Sequence, residues 1–201
     1  MAPNILAADA AGDALTVALE AGGQVLTARR GARAKHDESL LPAVESLLKR
    51  AGLEWEDLDA VAVPSGPGRF TGIRIGMAFA AMAGMKLKIS ALALSRLETA
   101  AEKCSADDIL AALPGWKKEV YSQLFRRKKS GLASVEDAAW TAPDAWPALQ
   151  AQAEAKGATV AFHDTDARDL LAPARRRLAS GKFPPFKPFY LKPAGYERPG
   201  R

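Results

Sequence analysis

The sequence predicts an α/β protein: a mixed sheet flanked by helices in the first half, followed by a smaller and less regular second half. Two observations carry this. Three short strand-like runs, Asn4–Asp9, Ala14–Glu20 and Gln24–Arg30, are split by Gly12-Asp13 and Gly22-Gly23, the pattern of consecutive antiparallel hairpins. Two helical segments then alternate with one apolar run, giving the order β-β-β-α-β-α and a sheet covered by helices.

The first helix is predicted in "HDESLLPAVESLLKRAGL", where Leu40, Leu41, Val44, Leu47 and Leu48 recur at helical spacing. Asp37 is the expected N-cap, Gly52 suits the C-terminal end, and Pro42 should fall in about the first turn. "LDAVAVP" (58–64) is a short strand with Val61 and Val63 on one face. Ser65–Gly68 should be a turn, because Gly66-Pro67-Gly68 continues neither element. Thr71 then caps a helix running to about Lys86. In the second half, "KISALAL" reads as a strand. "SRLETAAEKC" reads as a helix with Ser95 and Glu98 in capping-box spacing. "DILAALPGWKKEVYSQLF" reads as two strands around Pro114-Gly115. A helix from about Asp144, a strand "ATVAFH", and a helix "ARDLLAPARRRLASG" whose Pro173 kinks it or delays its start complete the series. The tail from Phe183 is proline-rich and extended. No internal repeat is present, and a lobe boundary is expected between Ser95 and Asp107, dividing residues 1–100 from 101–201.

The chain has 201 residues, enough to bury a real core, with 48% apolar and 25% charged residues. Its one cysteine, Cys104, forms no internal disulfide and fits a reducing cytosol. No signal peptide or membrane span is expected, so a cytoplasmic location is anticipated. The net charge of +5 lies entirely in the second half, with basic runs at 126–129 and 175–177. Such runs either meet phosphates or form solvated faces.

"SGPGRFTGIRIG" (65–76) looks like a phosphate loop opening a helix. It lacks the Gly-Lys-Ser/Thr of a Walker A loop and misses the last glycine of a dinucleotide fingerprint by one position. Pro67 also removes an N–H that a phosphate could use. An anion site at Ser65, Gly66, Gly68, Arg69 and Arg74 stays open on helix-terminus grounds. The two arginines either meet an anion or partner carboxylate or are solvated. The helix carries a second signal: Gly72, Gly76, Ala80 and Gly84 lie four apart, so one stripe is nearly bare. A helix-interior glycine costs about 1 kcal/mol against alanine. The stripe therefore implies close backbone approach, either by the protein's own sheet or by a partner helix.

"ILAADAAGDALTVAL", "HDESLLPAVESLL", "DAVAVPSGPGRFTGIRIGMAFAAMAG" and the tail "PFYLK" resemble the bacterial TsaB (YeaZ) family of tRNA threonylcarbamoyladenosine biosynthesis proteins. The resemblance covers most of residues 4–104 and returns weakly at "KKEVYSQLF" and the tail. It implies an actin-like, ribonuclease H-like ATPase fold of mixed sheets flanked by helices in two lobes. It also implies a non-catalytic subunit that binds a TsaD-like catalytic protein, with a TsaE-like ATPase as further partner, in threonylcarbamoylation of the adenosine beside the anticodon of ANN-decoding tRNAs. The helices matching Glu38–Arg50 and Thr71–Met85 are implied to pack on TsaD or on a second copy. This assigns Leu40, Leu41, Val44, Leu47, Gly72, Gly76, Ala80 and Gly84 to a partner interface. No cofactor is expected on the isolated chain, and tRNA is expected through the complex.

The sequence departs from that pattern in two places. Asp9-Ala10-Ala11 replaces the usual Asp-Thr-Ser, removing hydroxyls that actin-like proteins use around phosphate and magnesium. Pro114–Tyr121 replaces Asp-Ala-Arg-Lys-Gly-Glu-Val-Tyr, so no site is carried over from the second lobe. Asp9 is either a magnesium handler or, preferably, a capping or turn acid. His36 has only His163 as a second histidine and no metal-binding spacing; it reads as a surface or capping residue, and Cys104 as inert. Two other functions remain: an independent actin-like, ATP-binding phosphotransferase or ATPase, which needs nucleotide between lobes, and an RNA-binding module using the basic runs.

Overall fold

The computed structural model describes residues 2–31, 35–129 and 131–191. The three opening runs form antiparallel strands β1 (Ile5–Asp9), β2 (Leu15–Ala21) and β3 (Gln24–Arg30), with Ile5 opposite Glu20 and Ala21 opposite Gln24. Helix α1 (His36–Ala51), strand β4 (Ala60–Gly66), helix α2 (Phe70–Leu87) and strand β5 (Ser90–Ser95) follow. The sheet order is β3-β2-β1-β4-β5, with β4 parallel to β1 and β5 parallel to β4. It is a mixed sheet, as the order of elements implied.

Because side chains alternate across a strand, β1 and β4 feed two cores. Leu6, Ala8, Val61 and Val63 join α1 and α2 on one face. Ile5, Ala7, Ala60 and Ala62 join Leu92, Leu94 and Leu170 on the other. That second face is closed by a 3-10 turn (Ala167–Leu170) and, in its first position, Leu171 of a late helix ending at Ser180. Strands buried on both faces read as unbroken apolar runs, which is why "NILAA" and "AVAV" show little alternation.

The chain forms two compact units. One runs up to Ser95 and resumes over Thr165–Pro188; the other comprises Arg96–Asp164 with the chain from Phe189 on. The second unit contains helix α3 (Arg96–Glu102) and strands β6 (Asp108–Pro114), β7 (Val120–Lys128), β8 (Gly131–Ser134) and β9 (Ala139–Thr141). Helix α4 (Trp146–Ala155) and strand β10 (Thr159–Phe162) complete it. Its sheet is ordered β10-β6-β7-β8, with β9 also on β7. Strand β10 runs parallel to β6, and the other pairs are antiparallel. Leu97, Ala100 and Ala101 of α3 pack on Ile109, Ala111 and Phe125. Arg96, only 2% exposed, pairs with Asp164 at the far end of the same segment. Both units are therefore α/β, each built on a mixed sheet flanked by helices.

Several boundaries differ from the sequence expectation. Lys35, not Asp37, occupies the N-cap of α1 and makes no side-chain cap; Asp37 lies in the first turn, where a negative charge favours the positive helix end. Pro42 sits in the second turn. Strand β4 continues through Ser65 and Gly66 with a register shift after Pro64, so the turn is shorter than expected. Arg69 replaces Thr71 as N-cap of α2. The final helix, α5 (Leu171–Ser180), starts late, with Pro173 in its first turn. Gly52 ends α1 in the left-handed region at φ 68°, as expected. Part of the tail is described to Leu191 and has no regular structure; Lys192 onward lies outside the described residues. Among the described residues no helix is long and apolar enough to cross a membrane.

Candidate functional site

Helix α2 has two faces with different fates. Gly72, Gly76 and Ala80 are buried and Gly84 is half-buried. A Cβ built on Gly72 would stand 1.8 Å from the carbonyl oxygen of Ala10, in the turn after β1. At Gly76 it would meet the Val63 side chain at 3.7 Å, and at Gly84 it would meet Ala91 Cβ at 3.1 Å and Ile89 O at 3.2 Å. The small stripe therefore lies against the unit's own sheet and the turn beside it. This corrects the expectation that Gly72, Gly76, Ala80 and Gly84 line a partner interface: helix-on-sheet packing already uses the close approach they permit. Leu40, Val44 and Leu47 are corrected for the same reason, being 3%, 0% and 0% exposed in the core under α1. Of the eight expected interface residues, Leu41 alone is well exposed.

The opposite face is open and, beyond Arg74, apolar. Arg74, Ala78, Met82 and Met85 follow one another three or four residues apart and are all exposed. Met82 is 64% and Met85 82% exposed, and Leu41 of α1 is 49% exposed. Between α1 and α2 lies a groove of about 310 Å³ lined by Leu41, Trp55, Phe79, Met82 and Leu87, with Glu56 and Lys86 also on its walls. Trp55, in the 3-10 turn Trp55–Asp57 after α1, meets the Phe79 ring edge-on at 6.3 Å between centroids. That contact fixes the groove floor. Met82 and Met85 stand in the sequence as apolar residues off the small stripe, but periodicity alone does not say which side of the helix faces inward.

The glycine loop is occupied by the protein's own backbone. Ser65 is a buried strand residue. The Arg69 N–H donates to the Ala11 carbonyl at 2.8 Å, and the Arg69 guanidinium stands 3.8 Å from Asp13. Arg74 stacks over the Phe70 ring at 3.8 Å, a cation–π contact. A polar cleft of about 190 Å³ remains at the starts of α1 and α2, lined in part by Lys35, His36, Arg69 and Thr71. Of Ser65, Gly66, Gly68, Arg69 and Arg74, only Arg69 reaches it, so the five do not form one anion site. His36 Nδ1 lies 3.2 Å from the Ala10 carbonyl, and Asp9, 1% exposed, accepts from the Ala11 N–H at 2.8 Å. Asp9 thus acts in part as a turn acid. Among the described residues no group of three His, Cys, Asp or Glu is placed to hold a metal.

The basic runs are partly structural. Arg126 forms a forked pair with Asp108 at 2.6 and 3.1 Å, which holds the Asp108 carboxyl below its usual range. Arg127 donates to the carbonyls of Ala106 and Cys104, and Arg175 pairs with Glu20 at 3.0 Å. In the same unit as Arg126, burial pushes the Tyr121 phenol up, the Glu119 charge adds to this, and Arg96 opposes it.

Comparison with known proteins is consistent with these features. Residues 28–171, well over half the chain, match the family model described as TsaD: tRNA N6-adenosine threonylcarbamoyltransferase. A stretch of 138 residues is 33% identical to the tRNA threonylcarbamoyladenosine biosynthesis protein TsaB of Escherichia coli (strain K12), covering 67% of this chain and 60% of that protein. The Haemophilus influenzae TsaB protein is 32% identical over 130 residues, covering 62% of this chain and 55% of its own length. The chain thus spans less than two thirds of these curated relatives. Among solved structures, YeaZ from Pseudomonas aeruginosa superposes with a TM-score of 0.73 at 25% identity, covering 94% of this chain and all of that one. An uncharacterized Pseudomonas aeruginosa protein with similarity to the peptidase YEAZ gives 0.75 at 26% identity with the same coverage.

Proposed function

We propose that this chain, which belongs to the TsaD family of tRNA N6-adenosine threonylcarbamoyltransferases, serves in threonylcarbamoylation of tRNA adenosine as a non-catalytic subunit. In this reading it docks a TsaD-type catalytic protein through the exposed face of α1 and α2. The observation that carries the proposal is the groove of Leu41, Trp55, Phe79 and Met82, with exposed Met85 three residues further along α2. Isolated exposed apolar residues are ordinary on a protein surface, whereas a contiguous apolar groove with charged groups at its side marks a docking surface. An aromatic floor under flexible methionines suits an amphipathic partner helix. A TsaE-like ATPase and tRNA join through the complex, and a second copy of the chain is an alternative occupant of the same face.

The test is co-purification with the TsaD-type protein of the same genome, followed by reconstitution with tRNA and the remaining pathway proteins. Leu41→Asp with Met82→Asp places two charges on the face without touching the core. The pair is expected to abolish the complex and the modification while the melting temperature of the free chain stays put. Undiminished complex formation by that variant refutes the assignment of the face. Turnover of ATP by the isolated chain refutes the non-catalytic role.

A further inference from the structure

The docking face carries two of the chain's four methionines, and they differ sharply from the one in the core. Met82 and Met85 are 64% and 82% exposed, whereas Met77, on the inward side of the same helix, is 8% exposed. Met82 lines the groove and Met85 follows it on the exposed stripe. Thioether sulfur reacts with peroxides where it is reachable, and the product turns a flexible apolar side chain into a polar one.

We propose that Met82 and Met85 form a redox-sensitive element of the α1–α2 face, whose oxidation by hydrogen peroxide to sulfoxide blocks docking of the catalytic partner. This rests on the docking role proposed above. In the reaction a sulfur lone pair attacks one peroxide oxygen. The S–O bond forms as the O–O bond breaks, and the departing hydroxide takes up the remaining peroxide proton to leave as water. Sulfur loses two electrons and peroxide gains them, so each sulfoxide consumes one peroxide. Methionine sulfoxide reductases reverse the change.

The free chain tolerates the sulfoxides, because both side chains already face water. The complex does not, because docking then buries a sulfoxide oxygen against Leu41, Trp55 and Phe79. An unmatched buried polar group of this kind weakens binding about tenfold or more. Met77 stays reduced under the same treatment, and a chain already docked is protected at Met82.

The experiment uses the full chain and the TsaD-type protein of the same genome. Affinity is measured by calorimetry before peroxide, after peroxide, and after repair by methionine sulfoxide reductases. Peptide mass analysis locates the added oxygens. Sulfoxide at Met82 and Met85, an unchanged melting temperature, at least tenfold weaker binding and recovery on repair are expected. A chain carrying Met82→Leu and Met85→Leu is compared with its own untreated affinity, and peroxide should leave that value where it was. Binding that survives full oxidation of both methionines overturns the proposal alone. A loss of equal size in the leucine variant also overturns it, since another residue such as Cys104 is then responsible. Absence of binding before any peroxide overturns the docking role itself, and the redox element with it.

Discussion

Replacing Gly72 with alanine tests where the small stripe of α2 points. The added Cβ would sit 1.8 Å from the Ala10 carbonyl oxygen and 2.6 Å from its carbon, both backbone atoms with no side-chain freedom to yield. A real Cβ needs about 3.0 Å, so the turn after β1 must retreat by roughly 1.2 Å. That turn is held by the Arg69 N–H on the Ala11 carbonyl at 2.8 Å and the Ala11 N–H on Asp9 at 2.8 Å. Moving it loosens both bonds, each contributing about 1 kcal/mol net, on top of an overpacking cost of about 1–3 kcal/mol. Alanine returns up to about 1 kcal/mol of helix propensity. The expected net loss is about 2–4 kcal/mol, read as a fall in unfolding free energy by urea titration. Gly76→Ala is the matched control. Its Cβ meets Val63 at an ordinary 3.7 Å, so the propensity gain of about 0.5–1 kcal/mol should appear almost undiluted. If Gly72→Ala is as stable as the unaltered chain, or Gly76→Ala is the more damaging of the two, the stripe does not pack on this sheet as described.

Two other outcomes follow from a buried and a half-buried polar group. Thr16 Oγ1 accepts from the Ala167 N–H at 2.9 Å, joining β2 to the turn where the chain resumes the first unit. Thr16→Val keeps the shape and leaves that N–H without its acceptor, so unfolding free energy should fall by about 1–3 kcal/mol; an unchanged denaturation curve means that this bond contributes nothing to stability. The Tyr121 phenol, raised by burial and by Glu119 against the opposing pull of Arg96, should ionise at higher pH than free tyrosine when followed by phenolate absorbance. Its folded pKa lies above the unfolded one, so the native state holds its proton longer. Its stabilising share is full below the ordinary tyrosine pKa and is lost as pH rises through the folded value. Ionisation of Tyr121 at or below the free value contradicts its half-buried placement beside Glu119.

What was legible in the sequence follows the range of the forces involved. The three opening strands, both large helices and the β6–β7 pair are set by local periodicity and by glycine turns, and each appears within a few residues of its expected place. Strands β8 and β9 have four and three residues, too few for a period-two pattern to register. The capping assignments at Asp37 and Thr71 failed because a basic residue occupies each cap, at Lys35 and Arg69. The resumption of the first unit at Thr165 has no local signal, since it depends on Thr16 and on the apolar face of β1 and β4, about 150 residues earlier in the case of Thr16.

Residue spacing alone does not orient α2. Small residues at four-residue spacing permit close approach to anything, so the stripe itself does not choose between a sheet and a foreign helix. Chain connectivity does choose. Helix α2 joins β4 to β5, and these strands are parallel neighbours. A connection between parallel neighbours must cross over one face of the sheet, so one side of α2 is committed to that face before any partner arrives. The turn after β1 leaves no room for a Cβ at Gly72, so the committed side is the small one. Methionines four and seven residues past Ala78 cannot then turn inward without exposing Ala80 and Ile73, and they remain outside. An apolar stripe left outside after the sheet has taken its share is the surface that a second protein would be expected to cover.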